Sequence, residues 1–222
     1  MALTKFNFNS FDVTSAASKG LGFNASANGF STIGSTSMVL IKTLTASNSA
    51  NLTFVDGTSD VVLDNTYPLY VFKLINIHPA TKDASFGFNM SIDSGSNYNV
   101  TKTTSVFRAY QDEGGSGVTS LGYNGGRDLA QSTADQLIMP TTGNNNDESA
   151  SGTLHLFNPS STTFVKHFIC TTNVYEPDAD FTVEYFTAGY GNTESAVDAV
   201  RFQMDSGNID SGTIKLYGIS DS

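Results

Sequence analysis

Two alternating runs near the carboxyl end constrain the fold of this chain most strongly. Apolar and polar side chains alternate in residues 200–204 and again in residues 214–217, on either side of the turn-rich linker SGNIDSG. A period of two is typical of a β-strand with one buried face and one solvated face. The pattern predicts a hairpin at the carboxyl end, and we expect its last strand to join a sheet formed by upstream residues.

The same alternation recurs along the chain and predicts roughly ten short strands with turn signals about every 8–12 residues. Residues 69–77 form the most apolar run, which predicts a central strand. Residues 152–157 and 164–169 predict a hairpin, because an Asn-Pro turn separates them. The Gly-rich segment 111–126 is interpreted as a long loop, and residues 131–139 fit either a short helix or a strand.

Together these patterns predict an all-β chain, an antiparallel β-sandwich of jelly-roll type. Residues 38–222 form the predicted single sandwich domain. Residues 1–37 are rich in Ser, Asn, Ala and Gly and contain spaced phenylalanines, so we interpret them as an extended N-terminal arm. We expect those phenylalanines to dock the arm onto its own domain or onto a neighbouring subunit.

Composition narrows the classes of partner. The chain has 11 Lys and Arg against 21 Asp and Glu, a formal net charge of -10, which would repel phosphate backbones. We therefore expect no nucleic-acid partner. The sequence has no secretory signal pattern and no run of 18 apolar residues, so we expect no membrane insertion. The single cysteine, Cys170, is predicted to be a buried apolar residue of a protein assembled in a reducing cytoplasm.

No catalytic, metal-binding or cofactor-binding motif stands out, and we predict no enzyme activity and no cofactor. Symmetric counting from the Asn-Pro turn places His155 and His167 on opposite faces of their hairpin, where they could not share a metal ion. The acidic loops are interpreted as solvated charge because none has EF-hand spacing. A carboxylate pair for sugar hydrolysis remains an alternative, since such a pair is recognised by its separation in space.

Four tyrosines beside Gly, Asn and Asp are candidate surface or ligand contacts: Tyr110, Tyr123, Tyr175 and Tyr190. Such side chains can stack on sugar rings and donate hydrogen bonds to hydroxyls, and they can equally pack between subunits. Capping of the ends of the sandwich is an alternative role for the same four residues.

Five stretches resemble virion structural proteins, often described as tail-fibre-like, of tailed bacteriophages that infect marine bacteria such as cyanobacteria. The stretches are FDVTS to NGF (residues 11–30), LIKTLTAS (40–47), FVDGTSDVVLD (54–64), LHLFNPSST (154–162) and SGNIDSGTIKLYGI (206–219). They cover strands and turns and contain no catalytic residue. The resemblance therefore implies a particle component and leaves its place on the particle open.

The expected function is that of a non-enzymatic virion structural protein on the particle exterior, of the tail-fibre or adhesin type. Expected partners are other virion proteins and further copies of the chain, with a trimer as the predicted oligomer. A host surface glycan is a further candidate partner. The alternatives are a capsid decoration protein, a carbohydrate-binding module and a polysaccharide depolymerase.

Overall fold

The computed structural model describes residues 20–23, 30–33, 38–177 and 180–220. This described part contains fourteen β-strands and no helix. Within the predicted arm, β1 (Gly20–Phe23) and β2 (Phe30–Ile33) pair antiparallel with each other. The predicted docking of the arm lies outside the described residues. The prediction of an all-β antiparallel sandwich is confirmed by the two larger sheets.

The larger sheet has eight strands. In spatial order they are β3 (Met38–Ser49), β14 (Ile209–Ile219), β5 (Leu69–Pro79), β10 (Ala150–Phe157), β11 (Lys166–Glu176), β12 (Phe181–Gly191), β7 (Lys102–Asp112) and β8 (Thr119–Tyr123). Every pairing between neighbours in this sheet is antiparallel. The apolar strand β5 lies between β14 and β10, as predicted for a central strand.

The smaller sheet has four strands. In spatial order they are β4 (Leu52–Val55), β13 (Ala199–Met204), β6 (Ala84–Ser91) and β9 (Gln136–Thr142). Strand β9 begins at Gln136, so residues 136–139 of the ambiguous segment 131–139 form a strand and residues 131–135 precede it. The predicted loop over residues 111–126 is partly wrong, because β8 pairs with β7 at the edge of the larger sheet. All five residues of β8 are exposed, so no buried face marks this strand in the sequence.

The apolar core lies between the two sheets and is built around Phe202. Its ring, fully buried on β13, has its centroid 5.3 Å from that of Phe72 on the larger sheet and 5.8 Å from that of Phe86 on β6. Phe54 and Phe88 complete the cluster, with centroids 6.2 Å from that of Phe202. Aromatic residues from both sheets therefore interdigitate in one core.

The predicted carboxyl-terminal hairpin is wrong, although both of its strands exist. Strand β13 pairs with β4 and β6 in the smaller sheet, whereas β14 pairs with β3 and β5 in the larger one. The linker 205–208 therefore crosses from one layer to the other. Both strands bury one face in the same core from opposite sides, so their alternation matches that of two hairpin strands and does not specify the partner.

Candidate functional site: the outer face of the larger sheet

The outer face of the eight-stranded sheet carries the most distinctive surface of the described residues. Alternate residues of each strand point away from the core, and cross-strand register aligns them in rows. One row is continuous over six strands: Leu40, Tyr217, Val71, His155, Ile169 and Ala188 are successive cross-strand partners. The six strands β3, β14, β5, β10, β11 and β12, which are neighbours in this spatial order, each contribute one residue to this row.

A second row lies beside the first. Met38 pairs with Ile219, Ile219 with Leu69, and Leu69 with Phe157, while His167 pairs with Tyr190 on the far side. We call the two rows together the apolar band. It consists of Met38, Leu40, Leu69, Val71, His155, Phe157, His167, Ile169, Ala188, Tyr190, Tyr217 and Ile219.

The apolar band is accessible to a partner at every position except Val71, which is only 4% exposed. Leu40 is 51% exposed and Ile169 is 50% exposed. Three strands separate them, so the exposure extends across the sheet. Met38 and Phe157 are also exposed, and Phe164 projects from the neighbouring β10–β11 loop. Single exposed apolar residues are common, but a contiguous exposed apolar patch marks an interaction surface.

Charge distinguishes the band from the rest of the molecule. None of its twelve residues is Asp, Glu, Lys or Arg, whereas the whole chain has a formal net charge of -10. The next row of the same face is polar near its centre, where Lys73 pairs with Lys215 and with Thr153. The band is therefore an uncharged strip on an acidic protein.

The two histidines of the band, His155 and His167, lie on the same face of their hairpin. Leu156 pairs with Phe168, so His155 lies opposite Ile169, and His155 and His167 share the outer face as diagonal neighbours. The prediction that they lie on opposite faces is wrong. Strand β11 begins only at Lys166, so the loop is longer than symmetric counting from the turn assumes, and the pairing is shifted by three residues. An odd shift places each residue of β11 on the opposite face of the sheet from the one predicted.

The surroundings of His155 favour the neutral imidazole. Burial lowers the pKa of His155, and the nearby charge of Lys73 lowers it further. The imidazole also lies next to Phe157, with ring centroids 6.5 Å apart. Both histidines therefore belong to an aromatic surface: His167 contacts Tyr190 edge to face, with centroids 6.0 Å apart.

The structure places the four predicted contact tyrosines in different environments. Tyr190 belongs to the apolar band, and Tyr123 on β8 is 65% exposed on the same outer face, with its hydroxyl donating to Asp128. Tyr110 instead packs against the core and stacks on Phe181 with centroids 5.0 Å apart. The structure does not gather the four residues into one site.

Tyr175 lies near the end of β11 among carboxylates. Its hydroxyl donates to Asp180 at 3.0 Å and to Glu113 at 3.3 Å. The hydrogen bond to Asp180 is the largest of several effects that raise the pKa of Tyr175 to about 12. This side chain therefore fastens the β11–β12 turn to the end of β7.

A separate aromatic surface occupies the other end of the outer face. Phe186, Phe107 and Tyr123 are successive cross-strand partners on β12, β7 and β8, and we call them the aromatic row. The rings of Phe186 and Phe107 stack with centroids 4.6 Å apart and planes at 10°. Phe107 is 42% exposed, so the row presents aromatic rings to solvent.

Cys170 and His78 carry side chains that can react or bind a metal ion, and both lie outside the apolar band. Cys170 is 1% exposed, which confirms the prediction of a buried apolar residue, and burial raises the pKa of its thiol. Among residues 38–177 and 180–220, no group of three His, Cys, Asp or Glu side chains is placed to hold a metal ion. His78 forms a hydrogen bond with the Asn145 carbonyl, and its Nδ1 lies 3.3 Å from Asp210 Oδ2, so it connects β5 to the β9–β10 loop and to β14.

Comparison with protein-family models, with curated proteins and with solved structures finds no match to this chain. Within the described residues, no helix has the length and apolar character needed to cross a membrane.

Proposed function

We propose that this chain is a non-enzymatic structural protein on the exterior of a bacteriophage particle, where copies of the chain associate through the apolar band. The single observation that carries the proposed association between copies is the band itself, an uncharged strip across six strands in which every member except Val71 is at least partly exposed. The sequence resemblance to virion structural proteins supports the setting, and the sandwich supplies a rigid platform for the contact.

The lack of charge in the band suits another copy of the same chain as its occupant. Two copies with a net charge of -10 each repel one another at most orientations. Contact through an uncharged strip keeps the carboxylates of both copies in water and avoids the cost of burying charge. The band is thus the part of this face where self-association is least opposed.

The dimensions of the face also suit a stable interface. Strands spaced about 4.8 Å apart, with about 3.3 Å per residue, give eight strands of mostly eleven residues an area of roughly 1,200 Å². A standard interface buries about 800 Å² on each partner. The whole face is therefore large enough for an interface between copies, and the twelve residues of the band, at about 32 Å² each, would supply roughly 400 Å² of it.

The place on the particle is tested by labelling. An antibody against the chain, applied to purified bacteriophage particles and viewed by electron microscopy, is expected to label the tail. Labelling of the head would replace the tail-fibre assignment with that of a capsid decoration protein. Absence of the chain from purified particles, measured by mass spectrometry, would overturn the proposal of a virion protein altogether.

A second candidate function, binding of a host glycan, is favoured by the aromatic row. Exposed aromatic rings aligned on neighbouring strands can stack on the apolar faces of sugar rings. If the row binds a glycan, Tyr123→Ala is expected to weaken binding about tenfold, the equivalent of ~1.4 kcal/mol.

The measurement is a polysaccharide pull-down with the full chain, with Val118→Ala as the control because Val118 is exposed nearby and lies outside the row. Equal retention of wild type and Tyr123→Ala would remove the aromatic row as the binding surface. Turnover of the polysaccharide by the pure protein would contradict the proposed absence of enzyme activity and support a depolymerase.

A further inference from the structure

Within the described part of the chain two lysines are fully buried, Lys102 on β7 and Lys166 on β11, and their surroundings differ. An amine inside a protein needs hydrogen-bond acceptors to offset the loss of water. Lys166 Nζ donates to two backbone carbonyls, those of Phe164 and Thr193. Lys102 Nζ donates to the Val100 carbonyl at 2.8 Å and to the side-chain amide oxygen of Asn89 at 2.6 Å.

Asn89 is itself only 1% exposed, and its carboxamide is held at both ends. Its Oδ1 accepts from Lys102 Nζ and from the Met90 backbone N–H at 2.9 Å. Its Nδ2 donates to Asp135 Oδ1 at 2.8 Å and to the Thr133 carbonyl at 2.9 Å. An amine, an amide and a carboxylate are thus placed in sequence, with the carboxylate next to the amide nitrogen.

The carboxylate is also fixed in place. Asp135 Oδ2 accepts from Gln203 Nε2 at 2.7 Å, and Oδ1 lies 3.5 Å from Arg201 Nη2. The Asp135 side chain is 19% exposed, so it contacts both the buried amide and the solvent boundary. The carboxylate is thus within hydrogen-bonding distance of the amide nitrogen and also reaches solvent.

We propose that Lys102 and Asn89 join in an intramolecular isopeptide bond, with Asp135 as the proton carrier for the reaction. This modification site goes beyond the proposed function and does not depend on it. The bond would connect β7 of the larger sheet to β6 of the smaller sheet. It would therefore fasten the two layers of the sandwich to each other covalently.

The reaction needs no oxidant and no further reactant. Lys102 first loses one proton to solvent, and the lone pair of its neutral amine then attacks Cγ of Asn89, while the carbonyl π electrons move to Oδ1, where the Met90 N–H stabilises the negative charge. A second proton passes from the attacking nitrogen to Asp135, which delivers it to Nδ2. The electron pair on Oδ1 then re-forms the carbonyl bond as the Cγ–Nδ2 bond breaks, and ammonia leaves with the electrons of the broken bond. One amine and one carboxamide thus give one secondary amide and one ammonia.

The surroundings of Lys102 favour the two requirements of this reaction, a neutral amine and close approach of the reacting groups. Burial lowers the pKa of Lys102 to about 8, although the charge of Asp135 acts in the opposite direction. A neutral, nucleophilic amine is therefore accessible near neutral pH. The folded chain also holds the reacting groups next to each other, which replaces an encounter in solution by an intramolecular step.

The test is the intact mass and peptide map of the folded full-length chain, incubated at a pH above the lowered Lys102 pKa. We expect a mass below that of the sequence by one ammonia, and a peptide pair joined through Lys102 and Asn89. Trypsin is expected to leave the Lys102–Thr103 bond uncut, because acylated lysine is not a cleavage site. A succinimide at Asn124-Gly125 or Asn28-Gly29 has the same mass loss, and the peptide map distinguishes it from the joined pair.

Lys166 is the matched control within the same molecule, since it is equally buried but bonds only backbone carbonyls. Its peptide bond to His167 is expected to remain a tryptic site in the denatured protein. The Asp135→Asn variant is expected to keep the full sequence mass and to unfold at a lower temperature than the cross-linked wild type. A folded wild-type chain with the full sequence mass and a free Lys102 amine after this incubation would overturn the proposal, whatever the variants show.

Discussion

Replacement of Phe202 by alanine is expected to lower the free energy of unfolding by about 3–5 kcal/mol. Phe202 is fully buried, and its ring contacts Phe72 across the core as well as Phe86 within its own sheet. Alanine would leave a cavity between the two sheets, and neither sheet can close it without disturbing its hydrogen-bonded register. Equilibrium unfolding in urea, followed by far-ultraviolet circular dichroism, measures the loss.

Phe164→Ala is the control for this prediction. Phe164 is the same residue type but is 68% exposed in the β10–β11 loop, so its removal is expected to change the free energy of unfolding by less than about 0.5 kcal/mol. A loss below about 1 kcal/mol for Phe202→Ala would contradict the placement of this ring at the centre of the core.

The second large effect is expected at the apolar band. The double variant Leu40→Asp with Ile169→Asp is expected to weaken association between copies by at least about 100-fold, because each change removes apolar burial and adds a charge to the interface. Both side chains are about half exposed within one chain, so the fold itself is expected to tolerate the changes. Sedimentation velocity over a range of concentrations measures the association.

Thr43→Asp with Thr119→Asp supplies the matched control. It adds the same two charges to exposed positions on strands β3 and β8 of the same sheet, outside the band. Association is expected to weaken much less in this control than in the band variant. Equal weakening in the two double variants would mean that net charge opposes association, and that the band is not its contact surface.

Local alternation was sufficient to predict the fold class, the central position of β5 and the pairing of β10 with β11. It was not sufficient to predict the partners of the last two strands, because a strand that buries one face looks the same in either layer of a sandwich. The exposed strand β8 has no buried face and left no such pattern. These strand partners are fixed by packing across the core, which involves residues distant in sequence.

The apolar band also could not be predicted from local alternation, because it depends on which strands are neighbours. Leu40 and Tyr217 are cross-strand partners although most of the chain separates them, and Val71 follows Tyr217 in the row. Single apolar residues on the wet face of each strand look unremarkable until register places them side by side. The tyrosines chosen by their Gly and Asn neighbours included only one member of the band, Tyr190. Apolar residues on the solvated face of the predicted strands are the sequence signal that marks the other members.

The contact between Lys102 and Asn89 could not be predicted from the sequence either. Lys102 stands at a core-facing position of β7, where a lysine breaks the apolar alternation. That break was a usable signal that the side chain has a specific partner. Its identity depends on how the end of β6 approaches β7, which alternation does not encode.

Sedimentation equilibrium of the full-length wild-type chain tests the central claim, contact between copies through the outer face, most directly. We expect a mass that is a multiple of 23.6 kDa, and we expect the Leu40→Asp and Ile169→Asp double variant to reduce it towards 23.6 kDa. A single species of 23.6 kDa at every concentration would contradict it.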